Sequence, residues 1–223
     1  LFLGMVETPM IIRAYLTKLT RSEFFTVMTC GMSTVAGSVM IIYANTLSDI
    51  IPGAIGHIVV GSVLNIVGAI YVSRIIVPEN STPTSSDKFE DLGYSSTMDA
   101  ITRGTQDGLK LALNIGGMLL VIISLVALAN GVLGLLEISG EPLSLQRMLG
   151  WLFSPLAWLI GVPWSEAHLA GNLMGSKIVL NEMIAFIELA ALGNDLSENS
   201  RLVLLYALCG FANFGSLGIL IGG

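Results

Sequence analysis

The chain has 223 residues, of which 53% are hydrophobic and only 12% charged, with a formal charge of −6. A mean hydropathy of +0.80 excludes a disordered chain and argues against an ordinary soluble domain, while the acidic balance leaves no footprint for nucleic acid. Cys30 and Cys209 lie in apolar runs without metal-ligand spacing and are read as buried free thiols.

In chain order, Glu7 stands in an apolar run, where a charge near the bilayer centre costs roughly 2.5–3.5 kcal/mol and normally faces a polar cavity. Residues 8–18 are too short to span, with Pro9 at a helix start. Residues 24–44 approach the length of about 20 residues that a spanning helix needs. Thr20-Arg-Ser-Glu23 opens them with a hydroxyl that can cap the first turn. Residues 52–76 form a second apolar stretch and 77–104 a polar loop, in which Asp87 to Asp91 read as solvated. Residues 109–136 are the third and longest stretch. Residues 144–160 are shorter, carry Gln146, Arg147 and Pro155, and fit a helix lying along the interface. Residues 164–192 are expected to break at Gly171 and Gly175, and they hold His168, Lys177, Glu182 and Glu188. Residues 202–223 close the chain inside an apolar run, which reads as part of a longer membrane protein.

Residues 8–18 and 164–192 read as arms of re-entrant hairpins, whose polar tips survive in a membrane only when buried in protein or lining a wet cavity. Arg13, Lys18, Arg21, Arg74, Lys88, Arg103 and Lys110 fall on one side of the spans, which is therefore expected to be cytoplasmic; Arg147 and Arg201 fall on the other. Trp151, Trp158 and Trp164 fit an interfacial belt, and His57 and His168 read as packing residues.

An internal repeat runs through both ends of the chain. Glu7 is followed by Leu-Thr-Arg-Ser-Glu at 19–23 and by Cys30-Gly-Met-Ser-Thr-Val-Ala-Gly-Ser38. Glu182 is followed by Leu-Ser-Glu-Asn-Ser-Arg at 196–201 and by Cys209-Gly-Phe-Ala-Asn-Phe-Gly-Ser216. The charge rule starts the two long helices on opposite sides, so the repeat is expected to be inverted, an architecture common among secondary transporters. The glycines at 31–37 and 210–218 weaken those helices, since Gly costs about 1 kcal/mol against Ala. The expected fold is therefore an all-α polytopic membrane protein. Its first repeat is 1–76, its polar loop 77–104, its long helix 105–140, its interfacial helix 141–161 and its second repeat 162–223. No nucleophile, metal cluster or phosphate motif accompanies the two acids, so an enzyme is not expected.

At these residues the chain resembles the concentrative nucleoside transporters. That family carries Gly-x-Lys-x-x-x-Asn-Glu-Phe-Val-Ala. Here Gly175-Ser-Lys177-Ile-Val-Leu-Asn181-Glu182-Met-Ile-Ala185 matches it with two apolar changes, and the segments at 20–23, 31–38, 104–114 and 209–216 resemble its other signatures in the same order. The resemblance implies a homotrimer in a bacterial inner membrane, with the long helix in a scaffold and the hairpins and broken helices moving as an elevator. It implies that Glu182, Asn213 and Ser216 hold the ribose of a nucleoside, supported by Lys177 and Asn181. Gly4, Met5, Val6 and Glu7, with Val39 and Phe211, would surround the base. Two acids and amides without a nearby Arg suit a neutral polyol better than an anion; the alternative is an elevator-type symporter for another small polar solute. The family's sodium site would use Leu3, Thr34 and Val35, oxygen donors of the kind hard cations want, with proton coupling through Glu7 or Glu182 left open. Where the family's hairpin tip usually reads Gly-Gln-Thr-Glu, this chain has Gly4-Met5-Val6-Glu7. Met and Val side chains cannot read a base edge by hydrogen bonds, so the base preference is expected to differ.

Overall fold

The structure is a computed structural model, and it describes residues 12–84, 93–138 and 140–216. A short turn, α1 (Arg13–Leu16), leads to α2 (Arg21–Ser33). Thr20 caps α2 as the sequence predicts: its hydroxyl accepts from Glu23 N at 3.1 Å while Glu23 accepts from Thr20 N at 3.0 Å, a reciprocal capping box. The helix does not run on to residue 44. It ends at Ser33, passes through non-helical residues 34–36, of which Thr34 and Ala36 are extended, and resumes as α3 (Gly37–Leu47). The break falls inside the glycine-bounded stretch where one was expected.

α4 (Ala54–Ile76) and α5 (Thr97–Leu133) have 23 and 37 residues, with hydropathies of 1.9 and 2.5. Only 22% and 6% of their most apolar windows are buried, so these are not core helices of a soluble domain. At 1.5 Å per residue α5 reaches about 55 Å, longer than the roughly 30 Å hydrocarbon core. It begins inside the expected polar loop. Ser96 caps it by accepting from Asp99 N, and Asp99 pairs with Arg103 one turn on at 2.9 Å, so a polar segment becomes helical through local pairing.

A two-stranded ribbon, β1 (Glu137–Ile138) and β2 (Glu141–Pro142), turns through Gly140 at φ +81° into α6 (Leu145–Leu159). Arg147 fastens the corner, donating to Glu141 O at 2.9 Å and Pro142 O at 2.8 Å. α6 packs along α7 (Trp164–Val179), which continues unbroken through Gly171 and Gly175. The break expected at those glycines lies instead at Leu180 and Asn181. The reason is packing. A Cβ on Gly175 would stand 2.6 Å from Gln146 O, and one on Gly171 would stand 2.8 Å from Ser154 N, so both glycines admit a neighbouring helix rather than end their own.

Beyond that break come α8 (Glu182–Leu192) and, after a single 3-10 turn, α9 (Glu198–Leu208). Ser197 caps α9 through Ser200 N, the counterpart of Thr20 in the sequence repeat. The last apolar stretch is also not one helix: α9 stops at Leu208, residues 209–213 are non-helical, and helix resumes at Phe214. The two breaks are offset in the repeat, because α2 runs three residues past Cys30 whereas α9 stops just before Cys209. Gly210, at φ +132°, explains the earlier stop. Cys30 and Cys209 are both free thiols.

The core gathers Tyr43 and Leu47 of α3, Ile58 of α4, Phe186 and Leu189 of α8, and Leu204, Leu205 and Leu208 of α9. α4 packs against both α2 and α9, and α3 packs against α8. The two halves of the chain therefore interlock around one centre.

Candidate functional site

The interlocking brings Glu182 into that centre. It is the first residue of α8, 3% exposed, and Asn181 before it caps the helix by accepting from Ile184 N at 2.9 Å. The positive end of the α8 dipole therefore supports the carboxylate. Tyr43 Oη donates to Glu182 Oε1 at 2.7 Å, and Asn213 Nδ2 donates to Glu182 Oε2 at 3.0 Å. Asn213 Oδ1 in turn accepts from Ser216 N at 2.7 Å, capping the resumed helix and fixing which way its amide faces. Asn213 and Ser216 are 6% and 3% exposed. Two helix starts thus converge on one buried acid.

Of the expected sugar-holding residues, Glu182, Asn213 and Ser216 are brought together. Val39 lies one turn before Tyr43 on α3, so it shares the face that meets Glu182, and it is half-buried against the core. Phe211 is half-buried in the break between α9 and Phe214. Leu3, Gly4, Met5, Val6 and Glu7 lie outside the described residues. Among the described residues, the Lys177 ammonium donates to Ala207 O at 3.1 Å. Glu188 is half-buried on α8, and His57 meets Tyr206 Oη at 3.0 Å, tying α4 to α9.

Sequence reasoning missed Tyr43 and Asn65. Tyr43 is 1% exposed, and its ring lies 4.8 Å from that of Phe186, which is one turn after Glu182. Asn65 of α4 donates to Cys209 O at 2.8 Å, inside the second break. The available signal was a phenol or an amide set within an apolar run, since such a group needs a partner when buried.

The residues expected to hold a cation fit that task where they are described. Thr34 and Val35 occupy the first break, are 3% and 0% exposed, and have left helical geometry, which releases Val35 O from the helical ladder. Thr34 Oγ1 donates to Cys30 O at 3.2 Å, leaving its lone pairs for a metal.

Outside the apolar layer, Glu23 ties the start of α2 to the segment after α4. It accepts from Thr84 Oγ1 at 2.6 Å and Thr84 N at 3.0 Å, and these bonds with the Thr20 cap hold its carboxyl below the ordinary value of 4.5.

Comparison with known proteins adds independent findings. A family profile described as Na+ dependent nucleoside transporter C-terminus matches residues 57–223. The chain is 39% identical to the nucleoside permease NupC of Helicobacter pylori, covering all of this chain and 54% of that protein. It is 38% identical to YutK of Bacillus subtilis, an uncharacterized transporter, over 55% of that protein. Among solved structures, CNTnw in an inward-facing substrate-bound state superposes with a TM-score of 0.76 at 37% identity, over 99% of this chain and 53% of that one. A CNTnw variant in an intermediate state gives a TM-score of 0.83 at 38% identity, over all of this chain and 54% of that one. The chain spans about half the length of these relatives.

Proposed function

The chain belongs to the concentrative nucleoside transporter family, as its C-terminal portion, and on that premise we propose that it carries the nucleoside site of a cation-coupled symporter. One observation carries the reading: a nearly inaccessible carboxylate, Glu182, held from both sides by Tyr43 and Asn213. A carboxylate offers about four acceptor positions, so two remain for a pair of adjacent sugar hydroxyls. Charge-assisted hydrogen bonds to a diol are short and strong, and they become stronger in a site from which water is excluded.

In this reading Glu182, Asn213 and Ser216 hold the ribose, with Lys177 and Asn181 supporting them. Gly4, Met5, Val6, Glu7, Val39 and Phe211 surround the base. A sodium ion bound through Leu3 O, the Thr34 hydroxyl and Val35 O would supply positive charge at the first break and order it for substrate; a proton is the other candidate for coupling. Residues 8–18 and 164–192 act as re-entrant hairpins that travel with the broken helices as one body, in the inverted-repeat arrangement. The apolar, outward-facing α5 serves as scaffold and as the contact of a homotrimer in the bacterial inner membrane. The exposure of Leu109, Leu113, Leu120 and Leu128, all above 60%, supports a lipid or subunit surface there.

Radiolabelled nucleoside uptake by the intact protein, with sodium replaced by choline and pH varied, tests the function and the ion together. Gradient-driven, saturable accumulation is expected; uptake that neither saturates nor follows a sodium or proton gradient would refute it. Competition among uridine, cytidine, adenosine and inosine tests the tip. A normal uridine preference that is unmoved by Met5→Gln with Val6→Thr would remove the proposed link between Met5-Val6 and base choice.

A further inference from the structure

Lys177 stands on α7 five residues before Glu182, across the break at Leu180 and Asn181. Its ammonium donates to Ala207 O, in the last turn of α9. The final carbonyls of a helix have no N–H ahead of them, and here the chain leaves the helix at Cys209 and Gly210. Asn65 reaches the same place from α4 and takes up Cys209 O.

The end of α2 arrives there as well. A Cβ on Gly210 would lie 2.8 Å from Ser33 O, so the exit of α9 rests directly on the exit of α2. Met32 and Ser33 line one cleft of about 340 Å³ together with Asn65, Lys177, Ala207 and Gly210. Each helix C-terminus carries about half a negative charge, and two of them meet beside a single ammonium.

Five residues on, Glu182 grips Asn213, six residues past Ala207. Segments 177–182 and 207–213 are therefore fastened at both ends, cation to carbonyl at one and amide to carboxylate at the other. The charges are sorted by helix polarity, with the acid at helix starts and the ammonium at helix ends.

We propose that Lys177 is a positioning residue, a tethered cation that neutralises the meeting ends of α2 and α9 and thereby holds Asn213 on Glu182. The proposal rests on the reading of Glu182 as the sugar site. Without the ammonium, the two helix ends lose their counter-charge and residues 209–213 lose an anchor. Asn213 then meets Glu182 less often, and the site binds sugar less well.

The test uses the intact protein in lipid nanodiscs, with Lys177→Met, which keeps the stem without the charge, and Lys177→Ala, which also opens space. Ribonucleoside affinity is expected to fall about tenfold in both, the scale of one lost charge-assisted bond. Ethylammonium should recover much of the loss in Lys177→Ala but not in Lys177→Met, whose stem fills the space. It should also raise the thermal unfolding midpoint of Lys177→Ala alone, a reading that needs no substrate. Affinity of Lys177→Met within twofold of the parent would overturn the proposal, as would a Lys177→Ala protein indifferent to ethylammonium. If neither variant folds, Asn65→Ala removes the companion donor; a several-fold loss of affinity is then expected, and parent affinity overturns the proposal. Nucleoside binding by the parent protein tests the earlier reading separately, since this proposal is judged on the difference between variant and parent.

Discussion

Replacing Tyr43 with Phe removes a single hydroxyl from the centre of the molecule. The ring stays, with its 4.8 Å contact to Phe186, and so does its burial, so almost no cavity is created. What disappears is the 2.7 Å bond to Glu182 Oε1. Hydrogen bonds to charged groups contribute about 1.5–3 kcal/mol net. At about 1.4 kcal/mol per tenfold, affinity should drop by roughly ten- to a hundredfold if the tyrosine holds the carboxylate in its sugar-binding orientation. The hydroxyl does not compete with substrate, because one carboxylate oxygen accepts two bonds. Equilibrium binding of a ribonucleoside and of its 2′,3′-dideoxy analogue separates orientation from general damage. The ribonucleoside should lose far more affinity than the analogue, which has no diol for Glu182 to read. An equal loss for both ligands, or an unchanged ribonucleoside affinity, would refute the reasoning.

Other expectations follow from the same geometry. Glu182→Gln puts an amide where Tyr43 and Asn213 both donate, and uptake should fall by about a hundredfold, the scale of two charge-assisted bonds; uptake near the parent rate would contradict the assignment. Gly175→Ala pushes a methyl towards Gln146 O and should destabilise the α6–α7 pair by about 1–3 kcal/mol, read as a lower thermal unfolding midpoint. The depressed Glu23 carboxyl contributes stability that is present above its unfolded value of 4.5 and is lost as pH falls through its lower folded value. Thermal unfolding between pH 6 and about pH 3 should show that loss in the parent protein and a flatter profile in Glu23→Gln.

The helix starts were legible because their signals are local. Thr20 and Glu23 satisfy each other's neighbouring backbone groups within one turn, so the residue pattern carries the geometry with it. The polar start of α5 was hidden for the converse reason. Its composition reads as a loop, and only the Ser96 cap and the Asp99–Arg103 pair turn it into helix.

The glycines show where a one-dimensional reading stops. Gly31 and Gly37 bracket a true break, and Gly210 opens another, whereas Gly171 and Gly175 lie within an intact helix. Nothing in the residue type separates the cases. All three crowded positions, Gly171, Gly175 and Gly210, meet a neighbouring helix where a side chain would stand; the difference is that Gly210 takes φ +132°, which no helix continues through, while Gly171 and Gly175 keep helical backbone against α6. Glu182 could be marked from sequence alone, because an acid in an apolar run is too costly to be idle. Its partner Tyr43 is 139 residues away, and that pairing exists only once α3 packs on α8. Lys177 and Ala207 likewise meet through the packing of α7 on α9. Caps, apolar lengths and costly charges are properties of a few neighbouring residues, so the chain alone fixes them. Which buried donor meets which acceptor depends on how helices set against one another, and that is decided only when the core closes.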